Sequence, residues 1–247
     1  MKNKKLADMM FIVAMTKMDK KDYSGALNDF KRVTELDDNA NAMYNIGTMY
    51  ATGRGTEQNF LEAAKWFQRA ADKGIAEALQ LLAKTRLYYM NSNIDNLTEK
   101  GLYDAVTEFV SEVLKQNDIF SAVNKYLCEY GNFMLKKGEH EKALKAYRTG
   151  AIYGRSADCC YNTAVEYYQG YIIKSIPAAL YWFDKAAQYG DTEASKTRDN
   201  IISSYNEQNG DKNTKELLGS IAMMCIVGNN EIPSDSERSS YWLAMGN

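Results

Sequence analysis

A chain of 247 residues with 45% hydrophobic, 25% charged and 12% aromatic residues has a folded composition, which excludes a disordered polypeptide and leaves two globular domains or one extended repeat array. The formal charge of −2, from 30 basic and 32 acidic side chains interspersed along the sequence, excludes the basic field that would draw in nucleic acid. Pro177 and Pro233 are the only prolines among many Ala, Leu, Glu and Lys, and strand-like alternation is hard to find, so the chain reads as all-α.

The opening "MKNKK" and the apolar stretch from Met9 to Met15 have the outline of a short signal peptide. Asp8 interrupts the approach, no small-residue cleavage site follows, and Lys17 and Lys20 return at once, so the segment is expected to be helix. No apolar run approaches the ~18 residues of a membrane span. The first pair of helices is expected near 6–20 and 22–36. "AMYNIGTMYATGRGTEQNFLEAAKWFQRAADKGIAEA", residues 42–78, is the clearest unit. Ala42, Ile46, Gly47, Met49 and Tyr50 share one helical face before a break at Gly53 and Gly55. Leu61, Ala64, Phe67, Ala70 and Ala71 share another before Gly74 stops the helix. Helices are therefore expected at 40–52 and 59–73, and Ala78 restarts the pattern of Ala42.

These residues resemble a Sel1-like repeat, a relative of the tetratricopeptide repeat. Ala42, Ile46-Gly47, Tyr50, Gly53-Arg54-Gly55, Ala63, Trp66, Arg69-Ala70-Ala71 and Gly74 fill the family's places, while Thr56 and Asn59 stand where Val and Asp are usual. A pair at 76–91 and 98–116 follows, joined by "MNSNIDNLTEKG", expected to be a long polar loop. Residues 119–137 and 139–153, with Gly131, Ala143, Tyr147 and Gly150, resemble a plain tetratricopeptide pair, as do Ala26, Phe30 and Val33 earlier. A second Sel1-like copy at 157–190 begins "CCYNTAVEYYQG" and continues "ALYWFDKAAQYG", with expected helices at 157–169 and 175–189. A helix near 192–207 follows, and a worn third copy at 213–247 places Trp242 where Trp66 and Trp182 stand. The resemblance implies one right-handed α-solenoid of about six helical hairpins across residues 1–247.

Chemistry finds little support in the sequence. His140, the single histidine, sits in "KKGEHEKAL" at a helix start where Glu139, His140 and Glu141 are expected to be solvated. Gly53-Arg54-Gly55 lacks the preceding strand and the Gly-Lys of a phosphate loop, and Asp37-Asp38 lies at a helix end. Cys128, Cys159, Cys160 and Cys225 show neither zinc nor disulfide spacing and read as buried reduced thiols, which favours the cytoplasm. Some relatives of the family staple the two helices of each repeat with a cysteine pair; no cysteine stands at the matching places in 42–78. No enzyme, cofactor or metal is expected. The alternative is an accessory, enzyme-like protein using His140 or reactive thiols.

The resemblance implies that the first helix of each pair lines a concave groove holding a protein or peptide segment. Tyr44, Asn45, Thr48, Lys84, Lys125, Asn132, Tyr161, Asn162, Val165 and Tyr168 are the expected contacts, with Phe11, Met15, Gln80, Leu87 and Cys128 beside them. The tyrosines also suit packing against the next repeat, and the asparagines bonding to local backbone. The final helix ends just after Trp242, and its apolar face is expected to be capped by a second copy or by the client.

Overall fold

The computed structural model describes residues 2–114 and 118–246. Among these every regular element is helical. The chain divides into two compact units, Met1–Asn96 with Glu108–Ile119, and Leu97–Thr107 with Phe120–Asn247.

Unit 1 contains α1 (Lys2–Asp19), α2 (Tyr23–Leu36), α3 (Ala40–Thr52), α4 (Phe60–Asp72) and α5 (Ala76–Ile94), with a π-helical turn at Val110–Leu114. Helix α1 packs on α2, α2 on α3, α3 on α4 and α4 on α5. The α1–α3 core joins Phe30, Val33, Ile46 and Met49 through the alanines Ala7, Ala14, Ala26 and Ala42. Asn39 and Asn59 start α3 and α4 by accepting the amide hydrogens of Ala42 and Glu62, each satisfying a donor that the first turn leaves free. Gly53 ends α3 with φ at 69°, a left-handed conformation that a side chain would strain. Gly47 serves packing instead: a Cβ there would meet the Phe67 ring at 2.8 Å, so α3 and α4 close only around a hydrogen.

Unit 2 takes residues 99–107 of α6 (Glu99–Phe109), then α7 (Ile119–Lys136), α8 (His140–Ile152), α9 (Ala157–Gln169), α10 (Ile176–Gln188), α11 (Thr192–Asn209), α12 (Asp211–Val227) and α13 (Ser236–Gly246). Helix α9 packs between α8 and α10, α11 on α10, and α13 on α12. Ser156 and Ser175 cap α9 and α10, and Gly170 repeats the left-handed cap of Gly53. The Tyr147 ring fills the space that Gly131 leaves on α7, as Phe67 does at Gly47. Trp182, Phe183, Tyr181, Ile221 and Trp242 form the large part of the core.

Three expectations change. The polar loop after Met90 is short, because Met90 and Ile94 are buried and carry α5 on to Ile94. The helix expected to reach 116 passes into a π-helical turn at Val110, and residues 115–117 lie outside the described residues. Cys128 of α7 and Cys159 of α9 form a disulfide at a Cα–Cα distance of 5.8 Å, so only Cys160 and Cys225 remain thiols. The staple joins successive hairpins rather than the two helices of one, and the argument for the cytoplasm from four reduced thiols loses its ground. Among the described residues no helix is long and apolar enough to cross a membrane.

Candidate functional site

Each unit carries an open cleft built on a three-helix segment. In unit 1, Thr48, Ala51 and Thr52 of α3, Phe67 of α4, and Leu81, Lys84, Thr85 and Tyr88 of α5 line a volume of about 460 Å³, closed at one side by Gln58 and Phe60. In unit 2, Val165, Tyr168 and Gln169 of α9, Phe183 of α10, and Thr197, Asn200, Ile201 and Ser204 of α11 line about 350 Å³, with Tyr161 beside Phe183. With Gly53 on Gly170 for the first helix and, after a turn one residue shorter in the second copy, Trp66 on Trp182 for the helices that follow, these linings correspond: Thr48 with Val165, Ala51 with Tyr168, Thr52 with Gln169, Phe67 with Phe183, and Lys84 with Asn200.

The floors are the same. Tyr44 lies edge-on to Phe67 at 5.9 Å between centroids, and Tyr161 lies edge-on to Phe183 at 5.2 Å. Such pairs add to the stabilisation that burial of both rings supplies. The walls differ. Phe60 stacks on Tyr88 at 5.5 Å, and the Lys84 ammonium sits 5.7 Å from the Tyr88 ring, so the first cleft is aromatic with one positive charge. The second lining contains no charged side chain.

Of the sequence-expected contacts, the structure brings Thr48 and Lys84 together in the first cleft and Tyr161, Val165 and Tyr168 in the second. The others fall elsewhere. Tyr44 supports the floor beneath the first cleft. Asn45 donates to the Asn41 carbonyl within its own helix at 2.9 Å. Asn132 accepts the Tyr147 hydroxyl hydrogen at 2.7 Å. Lys125 stands in solvent near Glu129, and Asn162 is half-buried beside the second cleft rather than lining it. Phe11, expected to face the groove, packs on Phe30.

His140 is not solvated as expected. Its Nδ1 lies 3.1 Å from the buried Glu166 carboxylate of α9, and its ring stacks on Tyr171 at 4.2 Å. The contact crosses from one hairpin to the next, and nothing in the local sequence signals it. Burial pushes the Cys160 thiol up to about 12 and the Cys225 thiol up to about 11, which leaves almost no thiolate near neutral pH. Among the described residues no group of His, Cys, Asp and Glu is arranged to hold a metal ion.

In unit 2 the loop between α12 and α13 is tied to α8 and α10. The Glu231 carbonyl accepts from Arg148 of α8 and from the Trp182 indole of α10, both at 2.9 Å. Lys185 pairs with Asp235 at 3.0 Å. Asp184 is buried between Arg198 of α11 and Arg238 of α13, each at 2.6 Å.

The Sel1 repeat family profile matches residues 40–75 and 157–191, the α3–α4 and α9–α10 pairs. No curated protein matches the chain. Among solved structures, a Sel1 repeat protein from Oxalobacter formigenes aligns over 96% of this chain and 96% of its own, at 21% identity and a TM-score of 0.32. The protective antigen c5321 of uropathogenic Escherichia coli, which displays an SLR fold, aligns over 97% of this chain and 68% of its own, at 18% identity and a TM-score of 0.30. The TPR2AB domain of yeast Sti1, solved with pHSP90, aligns over 98% of each chain at 14% identity and a TM-score of 0.29.

Proposed function

We propose, from the two Sel1 repeats that the chain carries, that this protein is a non-enzymatic interaction scaffold holding a protein or peptide segment in the α3–α4–α5 and α9–α10–α11 clefts. The observation that carries this reading is the correspondence of the two linings. Both repeats leave the same face of their first helix open, floor it with the same phenylalanine, and wall it with the next helix along. An open cleft with an aromatic floor and a few convergent polar groups is the form a recognition site takes. A screen of immobilised peptides with the labelled full chain tests it. Peptides that bind are expected to lose binding to the cleft-filling variants Leu81→Arg and Val165→Arg, with Lys125→Ala unaffected. Retained binding by both cleft variants sinks the reading.

A second surface favours contact with another chain. Met223, Ile226 and Val227 of α12 and Leu243 and Met245 of α13 are between 37% and 75% exposed, a larger apolar display than a solvated hairpin needs. We read it as the face a second copy or the client covers. Light scattering that finds a monomer, together with no binding of an exposed-hydrophobe dye, removes this reading.

A further inference from the structure

We infer that the unit-2 cleft recognises the main chain of its ligand, an extended and uncharged peptide stretch. The inference rests on the reading that a polypeptide occupies the clefts. It comes from which polar side chains are already engaged. In the unit-1 cleft, Thr48, Thr52 and Thr85 donate to helix carbonyls one turn back, and Gln58 donates to the Ala51 carbonyl. What remains for a ligand there is aromatic and aliphatic surface and the Lys84 ammonium.

The corresponding unit-2 positions are rebuilt. Val165 and Ile201 replace two threonines with aliphatic side chains, while Gln169, Asn200 and Ser204 replace Thr52, Lys84 and Tyr88. Among the described residues, Gln169, Asn200 and Ser204 make no side-chain hydrogen bond within the protein. Two primary amides and a hydroxyl, all solvent-exposed, therefore line the cleft beside the Phe183 floor and the exposed Tyr168 ring, with their hydrogen-bonding groups open to water or to a ligand. A primary amide offers a donor and an acceptor side by side, the same pair that each peptide group of an extended chain presents. A charged ligand entering this cleft would lose water and meet no opposite charge, since the nearby Arg198 is already held by Asp184 and Asp199. The exchange of Lys84 for Asn200 thus changes what is read, from side chains in unit 1 to backbone in unit 2.

Nuclear magnetic resonance of the full chain, following the side-chain amides of Gln169 and Asn200, tests the inference with three probes. These are acetyl-trialanine N-methylamide, the same peptide methylated on its internal amide nitrogens, and maltotriose. The first probe is expected to shift both amides saturably and the methylated peptide to leave them in place. The Asn200→Leu variant, checked for folding by the same spectra, is expected to weaken the first probe about tenfold, as a lost hydrogen bond does. Absence of a saturable shift, equal binding of the methylated peptide, or a shift with maltotriose instead overturns the inference. If peptides from the immobilised screen still bind in that case, the scaffold reading stands and the backbone assignment alone fails; a screen that finds no binder fails the scaffold reading itself.

Discussion

The two clefts share a floor and differ in how the wall helix is attached. In unit 1 the position on α5 that corresponds to Arg198 is the buried Leu82, and the position on α4 that corresponds to Asp184 is Gln68, which reaches only to Asp72 in its own helix. At this position, then, α5 meets its neighbours through apolar burial. In unit 2 the same places form a buried ionic clamp, with Asp184 between Arg198 of α11 and Arg238 of α13. Set side by side, the units separate the parts of a repeat that are frame from those that are free. The small residues, the phenylalanine and the tryptophan recur because they set the helix spacing. The attachment of the next helix is rebuilt, and with it the chemistry presented to a ligand.

This contrast can be broken experimentally, and Asp184→Ala is the strongest test. It leaves two guanidinium groups without their buried partner and is expected to destabilise unit 2 by about 3 to 5 kcal/mol. Gln68→Ala is expected to change unit 1 by no more than about 0.5 kcal/mol. Amide hydrogen exchange resolved along the chain reads the two units separately, and equal loss of protection in both would erase the distinction. Reduction of the Cys128–Cys159 staple comes next. With its cysteines separated by 31 positions in the sequence, opening it is expected to cost unit 2 about 3 to 4 kcal/mol. Urea unfolding with and without dithiothreitol checks this, and superimposable curves argue against the staple.

The helix caps give a smaller effect. Asn59→Ala is expected to lower stability by about 1 kcal/mol. Ser175→Ala at the matching place is expected to lower it further, because the Ser175 hydroxyl also donates to the Glu231 carboxylate and so anchors the loop. Equal losses in thermal unfolding would detach the loop from the cap. The last effect is confined to acid. Burial alone would raise the Asp235 carboxyl, but hydrogen bonds and charge from Lys185, with further bonds from the Arg238 amide and the Tyr181 hydroxyl, hold it below its ordinary value. A carboxyl lowered by folding stabilises fully above its unfolded value of about 4 and ceases to do so as the pH falls through the lower folded value. Asp235→Asn is therefore expected to flatten the acid limb of unit 2, and near-ultraviolet circular dichroism between pH 5 and 2 would show an unchanged limb if the ion pair does not form.

Much of the architecture was legible because its signals are local. Gly53 and Gly170, the Ala-Ala pairs and the three tryptophans punctuate the chain, and the expected 40–52 and 157–169 helices coincide with α3 and α9. The continuation of α5 past the expected end at 91 was hidden because Ile94 is a single apolar residue within an Asn- and Ser-rich stretch. The disulfide and the His140–Glu166 pair were hidden for another reason. Each joins residues on different hairpins, and no spacing within one hairpin reports it. The cleft residues divide in the same way. Repeat register places Thr48, Val165 and Tyr168 on an open face, but register does not reveal that Asn45 and Asn132 already have partners in the fold.

The recurrent tryptophan also gives the protein an internal optical label. Trp66 is half-buried, with the Arg69 guanidinium 4.3 Å from its ring, whereas Trp182 and Trp242 are fully enclosed in unit 2. An indole near water emits to the red of one in a dry interior, so the red component of the fluorescence is expected from unit 1 and the blue component from unit 2. The Trp182 indole, bonded to the Glu231 carbonyl, further makes its emission sensitive to whether the loop is seated. A residue repeated for packing thereby distinguishes, in one spectrum of the unmodified chain, which half of the molecule has responded to a ligand.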